Sequence, residues 1–251
     1  MDRNDYIFGI RPVIEAIEAG RDIDKIFVSK ELHSDVAREL LDKAREMHVL
    51  VQRVPPEKIQ RITRKQTQGV LAILSAVTYH RLDHLVPELY EAGLMPFVLI
   101  LDGITDVRNF GAIARTAECA GVDAIVIPQH GSVSVGGDAV KTSAGALLHI
   151  PVCRERSVRG AVQFLKDNGY RVVAVSEKVD INYTEANFTD PVALVMGAED
   201  VGISPDVYEL CDLRVGIPMF GKIGSLNVSV AAGVLMYEVV RQRLAANLEV
   251  I

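Results

Sequence analysis

The sequence has few cysteines, no long apolar run and no leader-like start. Its three cysteines, Cys119, Cys153 and Cys211, are odd in number, far apart and without a CxxC pair, so neither a disulfide framework nor a zinc site is indicated. The apolar run Phe97–Leu101 stops well short of the roughly 18 residues that a membrane span needs. The first residues, MDRNDY, do not form a basic segment followed by an apolar one. We therefore expect a reduced, cytoplasmic protein.

The fingerprints of several common ligand sites are also missing. No GxGxxG follows a predicted strand, so a dinucleotide-binding Rossmann site is unsupported. Residues 136–142, GGDAVKT, look superficially like a phosphate loop but lack the glycine immediately before Lys-Thr. The six histidines show no HExxH or other metal-ligand spacing. We expect no metal.

The charge of the chain is acidic overall but unevenly distributed. Its formal net charge is −6, which by itself argues against a nucleic-acid binder, because such proteins usually carry a basic surface. Residues 1–80 hold 13 Lys and Arg against 12 Asp and Glu, a net of +1, and the remaining residues hold 14 against 21, a net of −7. One stretch has a single acid, Glu57, and five basic residues: Arg53, Lys58, Arg61, Arg64 and Lys65. Such a stretch is either a solvated surface or an RNA contact.

The hydrophobic pattern divides the chain into a small α/β domain and a larger one. We predict an N-terminal domain over residues 1–76, a linker over 77–95 and a second domain over 96–251. In the first domain the pattern predicts helices and strands in alternation: helix Arg11–Ala19, strand Lys25–Ser29, helix Ser34–His48, extended Val49–Val54, a short helix from Pro55–Pro56 and strand Gly69–Ala76.

The second domain has near-continuous apolar strands, which are typical of parallel sheets covered on both faces. The predicted strands are Phe97–Asp102, Ala124–Pro128, Arg171–Ser176, Val192–Met196 and Leu213–Ile217. The predicted helices are Phe110–Ala120, Val158–Asn168 and Leu226–Ala246. Strands that alternate with helices favour a mostly parallel sheet, and ligands of such sheets bind beyond the carboxyl ends of the strands.

Three segments that follow predicted strands are rich in glycine and polar residues. In the first, LDGITDVRNFGAIARTA, Asn109 either caps the helix or serves a site. Arg115 lies one to two turns further on, where it either pairs with Glu118 or reaches back to the helix start. In the second, VALVMGAEDVGIS, Glu199 follows a buried strand. An isolated carboxylate in a loop is usually only solvated, so Glu199 by itself indicates little. An arginine within the largely buried composition around Arg115 more often has a specific role.

The third segment is VGIPMFGKIGSLNVSVAAGVLMYE, in which a glycine loop leads into a long helix. Ser225 is the expected N-cap of that helix. Asn227 and Ser229 then lie in the first turn, where they do not favour helix formation. Exposed backbone N–H groups, a glycine loop and small polar side chains together suit a ligand.

The three segments, in this order, resemble the three motifs of the SpoU (TrmH-like) branch of the SPOUT RNA methyltransferases. NFGAIARTA is similar to N-x-G-x-x-x-R-x-A, MGAEDVGIS to G-x-E-x-x-G-[IL], and IPMFGKIGSLNVSVAAGVLMYE to I-P-M-x-G-x-x-x-S-L-N-V-S-x-A. The N-terminal part, with YIFGIRPVIEAI and QGVLAI, resembles the L30e-like RNA-binding domain of the 23S rRNA guanosine 2′-O-methyltransferases. Two positions depart from the family pattern: Val107 replaces a frequent Pro, and Thr67 replaces a frequent His before Gln-Gly.

The resemblance implies an α/β-knot fold with a mostly parallel sheet and a deep trefoil knot, preceded by the smaller L30e-like domain. It also implies S-adenosylmethionine as methyl donor and a homodimer. Carried over, Gly197, Ala198, Ile217 and Leu226 correspond to the positions around the cofactor. Arg115 corresponds to the catalytic arginine, contributed across the dimer. The polar set around the reacting ribose corresponds to Asn109, Glu199, Ser225 and Asn227.

The leading interpretation is an enzyme that methylates a ribose 2′-OH, of a guanosine, in 23S rRNA. The alternative substrate is tRNA, and the alternative of another class is a non-catalytic RNA-binding or ribosome-assembly factor. Under this interpretation the basic stretch is an RNA contact, and the acidic net charge no longer argues against RNA binding. The reason is that RNA affinity depends on local phosphate contacts rather than on the global charge. We predict that Arg53, Arg61, Arg64 and Lys65 bind RNA.

Overall fold

The computed structural model describes residues 6–177, 179 and 181–246. The chain divides into two compact units. One extends up to Thr78 and takes in Ser134–Gly137, and the other consists of Tyr79–Val133 and the residues from Asp138 onward.

The first unit is a four-stranded sheet with helices on both faces. Its elements are β1 Tyr6–Phe8, α1 Ile10–Glu18, β2 Ile23–Ser29, α2 Asp35–Glu46, β3 Val51–Val54, α3 Pro56–Ile62 and β4 Val70–Leu74. The strand order is β1-β4-β2-β3, in which β2 and β3 are parallel and β4 is antiparallel to both of its neighbours. Helices α1 and α2 form one hydrophobic core with the sheet. Helix α3 packs through Ile59 into a second core on the other face of the sheet.

The second unit is built on an eight-stranded parallel sheet. Its strands are β5 Tyr79–His80, β6 Phe97–Asp102, β7 Ala124–Pro128, β8 Val152–Glu155, β9 Arg171–Val175, β10 Ile181–Asn182, β11 Val192–Gly197 and β12 Leu213–Gly216. Its α-helices are α4 Leu82–Glu91, α5 Val107–Cys119, α6 Gly137–Thr142, α7 Val158–Asp167, α8 Pro205–Tyr208 and α9 Val228–Ala245. The strand order is β10-β12-β9-β11-β6-β7-β8-β5, and every pair is parallel.

The central strand β6 shows why its sequence is continuously apolar. All five side chains of Phe97–Leu101 are buried, because both faces of the sheet are covered. Val98 and Ile100 belong to the core that α4, α7 and α8 share with the sheet. Helices α5 and α9 pack against each other, and α9 also contacts β11. Because the central strands are parallel, their carboxyl ends lie at one edge of the sheet. The loops at that edge carry the three glycine-rich segments.

The residues that we predicted as a linker lie mainly in the second unit rather than between domains. Tyr79–His80 pair with β8, and Leu82–Glu91 form a helix whose Leu82, Leu85 and Val86 are buried in the core. The polar residues of this segment lie on the solvent side of the helix, which gives the sequence its linker-like composition. The pattern also missed β8, because charged residues follow its short apolar start.

Two helix starts differ from the prediction. Helix α5 begins at Val107 rather than Phe110, and Asp106 is its N-cap, with backbone N–H groups of Arg108 and Asn109 donating to its carboxylate at 2.9 Å. Helix α9 begins at Val228, and its N-cap is Asn227 rather than the predicted Ser225. Asp and Asn are among the strongest N-cap residues, so both corrections follow from ordinary capping chemistry.

The end of α9 is held to the sheet by a buried arginine. The Arg243 guanidinium donates hydrogen bonds to backbone carbonyls of Met95, Pro96, Phe188 and Asp190 at 2.6–3.3 Å. It also lies over the Phe97 ring, 5.5 Å from its centroid. Burial lowers the pKa of Arg243, which nevertheless stays charged because a guanidinium is so weakly acidic. Arg243 thus joins the helix to the amino end of the central strands.

We expect Arg243→Met to lower the free energy of unfolding by about 2–4 kcal/mol, because buried carbonyls lose their donors. Urea unfolding measures the change. Arg171→Met is the control, since the exposed Arg171 pairs with Asp190 across 3.9 Å, and loss of such a surface pair costs at most about 1 kcal/mol. Equal losses in the two variants would contradict the role assigned to Arg243.

Candidate active site

A cavity of about 570 Å³ opens at the carboxyl ends of β9, β11 and β12. Its size is that of a typical small-molecule site. Two chain segments contribute most of its lining: residues 196–205, which are the end of β11 and the loop after it, and residues 217–228, which follow β12. The position agrees with the rule that ligands of parallel sheets bind beyond the carboxyl ends of the strands.

The first segment is a tight hairpin that only glycine permits. Ala198 and Gly202 exchange backbone hydrogen bonds of 3.1 and 2.8 Å. Gly202 has a φ of +73°, in the left-handed region that favours glycine. A Cβ on Gly197 would lie 2.1 Å from the carbonyl carbon of Gly202, so no other residue fits there. The hairpin brings the backbone of Gly197 and Ala198 to the cavity wall.

The charge of the cavity suits a cationic ligand. Among its lining residues that the structure describes, there are three acids, Glu177, Glu199 and Asp200, and no lysine or arginine. Apolar side chains, including Ile217 and Leu226, line the rest. An apolar slot with carboxylates fits an adenine ring, ribose hydroxyls and a sulfonium, whereas it does not fit a phosphate-rich dinucleotide. All four predicted cofactor residues, Gly197, Ala198, Ile217 and Leu226, line this cavity.

Three polar side chains from the three motif segments form one hydrogen-bonded chain. The Asn227 Nδ2 donates to Asn109 Oδ1 at 3.0 Å, and Asn109 Nδ2 donates to Glu199 Oε2 at 3.3 Å. Glu199 and Ser225 also line the cavity, whereas Asn109 and Asn227 are not part of its described lining. Residues more than 100 positions apart in sequence are thus joined beside one pocket, which ordinary helix capping does not explain.

The helix cap Asp106, which sequence reasoning missed, explains why Asn109 is available for this chain. Because the Asp106 carboxylate satisfies the first N–H groups of α5, the side chain of Asn109 has no capping role and points to Glu199. Asn227 both caps its helix and joins the hydrogen-bonded chain. Its Oδ1 accepts from the backbone N–H of Ser229, and its Nδ2 donates to Asn109. The sequence signal that could have identified this cap is Asp106 itself, an aspartate directly before the first residue of the helix.

Arg115 is separate from this group in its own chain. It lies on the exposed face of α5 and is absent from the described lining of the cavity. With the residues that the structure describes it makes no hydrogen bond or ion pair, so the alternative of a pair with Glu118 is not found in this conformation. An unpaired arginine on an exposed helix face is available to a ligand or to a second subunit.

The predicted RNA-binding residues lie in the first unit. Arg53, Arg61, Arg64 and Lys65 are all exposed, and none forms an ion pair within the described part of the chain. Lys65 lies over the Phe8 ring, 4.9 Å from its centroid. Exposed cations without an ion-pair partner suit contacts with a polyanion, and the Phe8 ring helps to hold one of them, Lys65, in place.

Comparison with known proteins decides the family. The model of the SpoU rRNA methylase family matches residues 96–237, and the model for RNA 2′-O ribose methyltransferase substrate binding matches residues 6–80. The chain belongs to the SpoU (TrmH-like) family. It is therefore an RNA methyltransferase that uses S-adenosylmethionine.

Relatives of this SpoU protein match along almost all of its length. A candidate TrmH family tRNA/rRNA methyltransferase of Staphylococcus saprophyticus is 38% identical over 94% of this chain and 95% of its own. One of Bacillus subtilis is 36% identical over 96% of this chain and 97% of its own. The SpoU methyltransferase AviRb of Streptomyces viridochromogenes, solved with its cofactor AdoMet, is 27% identical with a TM-score of 0.61 and covers 96% of this chain and 90% of its own. These likenesses confirm the predicted SPOUT fold class.

Among the described residues, no three His, Cys, Asp or Glu side chains come together as a metal site would require. No helix in the described part of the chain is long and apolar enough to cross a membrane.

Proposed function

We propose that this SpoU methyltransferase methylates the 2′-OH of a guanosine ribose in 23S rRNA, in the cytoplasm. The observation that carries the proposal is the chain Asn227–Asn109–Glu199, whose Glu199 lines a cavity with a charge that suits S-adenosylmethionine. A substrate-binding domain over residues 6–80 supports it further. The L30e-like character of that domain favours rRNA over tRNA.

The proposed reaction forms a bond between the ribose 2′-oxygen and the methyl carbon while the sulfur–carbon bond breaks. The leaving group is the neutral thioether S-adenosylhomocysteine, and the hydroxyl proton passes to solvent water. S-adenosylmethionine supplies an electrophilic methyl group on a sulfonium. The residues of the chain then have mainly to position the hydroxyl in line, which can account for much of the acceleration. Glu199, Asn227 and Ser225 order the hydroxyl and the loops around it, and Asn109 fixes the orientation of Glu199.

In this mechanism Arg115 binds the phosphate next to the target ribose and assists loss of the 2′-proton. Guanidinium is a poor base because it stays protonated, whereas its planar fork suits a phosphate. Since Arg115 does not line the cavity of its own chain, we propose that it acts in the site of a second copy. This mechanism requires a homodimer.

Helix α9 supports a homodimer on independent grounds. Val230, Tyr237 and Leu244 recur every seven residues and are 51%, 51% and 61% exposed. Residues seven apart lie on one side of a helix. An exposed apolar stripe next to α5, the helix of Arg115, is what a subunit interface would cover.

Mapping 2′-O-methylation in cells with and without the gene tests the proposal. We expect one 2′-O-methylguanosine in 23S rRNA to disappear from cells without the gene and to return with the wild-type gene. Both rRNA and tRNA should be mapped in parallel. Loss of a methylated site in tRNA alone would show that tRNA, rather than 23S rRNA, is the substrate. Unchanged methylation in both RNAs would favour the alternative of a non-catalytic assembly factor.

A further inference from the structure

The hairpin at residues 198–202 forms one wall of the proposed cofactor cavity, and its base is tied to the neighbouring strand. Asp102 is the last residue of β6 and lies beside Gly197 in the sheet register. One of its carboxylate oxygens, Oδ2, accepts the backbone N–H of Ser204 at 2.7 Å and also the Ser204 hydroxyl. The Asp102 carboxylate thus holds Ser204, which lies two residues after the end of the hairpin.

The same segment separates two cavities. Residues 201–203 line the cavity of about 570 Å³ and also a second cavity of about 500 Å³. Asp102 and Ser204 line the second cavity only. Gly202 lies close against Gly197 and Ile203 packs against the core, whereas the Val201 side chain is 80% exposed. The hydrogen bonds to Asp102 add a polar attachment at the carboxyl end of this segment, at Ser204.

We propose that Asp102 is a positioning residue for S-adenosylmethionine, which acts through Ser204 by holding the hairpin 198–202 against the cofactor. The proposal rests on the assignment of the cavity made under the proposed function. It adds a residue outside the five catalytic and four cofactor positions predicted from the motifs. Asp102 touches neither the cofactor nor the RNA in this role, so its loss should affect cofactor affinity rather than the chemical step.

Asp123 provides a matched control at the opposite edge of the same sheet. Its carboxylate accepts the backbone N–H of Phe97 at 2.6 Å, at the amino end of β6. Asp102 and Asp123 thus each hold a backbone N–H with a carboxylate, but only Asp102 lies beside the cavity. Asp123→Ala should lower the thermal stability and leave cofactor affinity unchanged.

The experiment measures S-adenosylmethionine binding by calorimetry in wild type, in four variants of the Asp102–Ser204 pair and in the control Asp123→Ala. We expect Asp102→Ala to weaken binding about ten-fold, the order expected from the loss of one charge-assisted and one further hydrogen bond. Ser204→Ala should weaken it less, since the backbone N–H remains. The double variant should match Asp102→Ala, because the two side chains act as one unit. Asp102→Asn should restore part of the affinity, because its amide oxygen can accept at the same place.

Steady-state kinetics provides the second measurement. We expect Asp102→Ala to raise the KM for S-adenosylmethionine about ten-fold and to change kcat less than about two-fold. An unchanged affinity in both Asp102→Ala and Asp102→Asn, or an equal loss in Asp123→Ala, would overturn the proposal. If Asp102→Ala does not fold, Asp102→Asn and Ser204→Ala still decide the matter.

Ile217→Glu distinguishes this proposal from the cavity assignment on which it rests, because a charge at that lining position should block the cofactor directly. If Ile217→Glu abolishes binding and Asp102→Ala does not weaken it, only the role of Asp102 is wrong. If neither variant affects binding, the cavity itself has been misassigned.

Discussion

Replacing Arg115 with alanine is expected to reduce methyl transfer at least about 100-fold, the size of effect that a single positioned catalytic group commonly has. S-adenosylmethionine affinity should stay within about two-fold, because Arg115 does not line the cavity of its own chain. Single-turnover transfer of a labelled methyl group to RNA measures the first quantity, and calorimetry measures the second. Arg115→Lys should restore little activity, because lysine cannot form the planar two-donor contact with a phosphate.

Arg108→Ala is the matched control for this prediction. Arg108 is an exposed arginine on the same helix, seven residues before Arg115, and the account gives it no role in the reaction. Near-normal transfer by Arg115→Ala with intact cofactor binding would rule out the proposed function of Arg115. An equal loss in Arg108→Ala would instead point to a general requirement for positive charge on α5.

The same variant tests whether Arg115 acts in the site of a second subunit. Neither Arg115→Ala nor Glu199→Ala should be active alone. A coexpressed 1:1 mixture should regain up to about a quarter of the wild-type activity, because half of the dimers are mixed and each of these has one complete site. Absence of any recovery in confirmed mixed dimers would place Arg115 in the site of its own chain.

Neutralising Arg61, Arg64 and Lys65 together, with glutamine, is expected to weaken RNA binding by about 10- to 100-fold at low salt. The reason is that each phosphate contact releases counterions, so the slope of log affinity against log salt should fall by about three when three contacts are lost. Filter binding or fluorescence anisotropy over a series of salt concentrations measures both effects. S-adenosylmethionine affinity should not change.

A control triple on α2 removes the same net charge from the same unit. Arg38, Lys43 and Arg45 pair with Asp35, Glu18 and Asp42, respectively, so their charges are already compensated. We expect that triple to alter the salt slope by less than about one. An unchanged slope in the first triple, or equal changes in both, would refute the assignment of the RNA contact to residues 61–65.

The sequence predicted the parallel sheet well because its strands carry their own signal. Residues such as Phe97–Leu101 are apolar without interruption, which only a strand buried on both faces requires. β5 and β10, each two residues long, could not be found from periodicity, since two residues have no period. The start of α5 was missed because Asn109 and Asp106 are both good caps, and only the fold shows which one makes the hydrogen bonds.

The candidate site was predictable in its parts but not in its arrangement. The motifs identified Asn109, Glu199 and Asn227, yet nothing in a linear sequence shows that Asn109 bonds to Glu199 across 90 residues and to Asn227 across 118. The link from Asp102 to Ser204 was likewise hidden, because an aspartate at a strand end is common and its partner lies 102 positions away. Contacts of this kind depend on which loops the sheet order brings together.

The most direct test of the account uses purified protein, S-adenosylmethionine with a deuterated methyl group, and ribosomal RNA or tRNA that lacks the modification. After digestion to nucleosides, mass spectrometry locates the label. The account predicts deuterated 2′-O-methylguanosine from 23S rRNA with the wild-type protein, and little or none with Arg115→Ala. Label on a base rather than on ribose, or no transfer to any RNA by protein that binds S-adenosylmethionine, would contradict it.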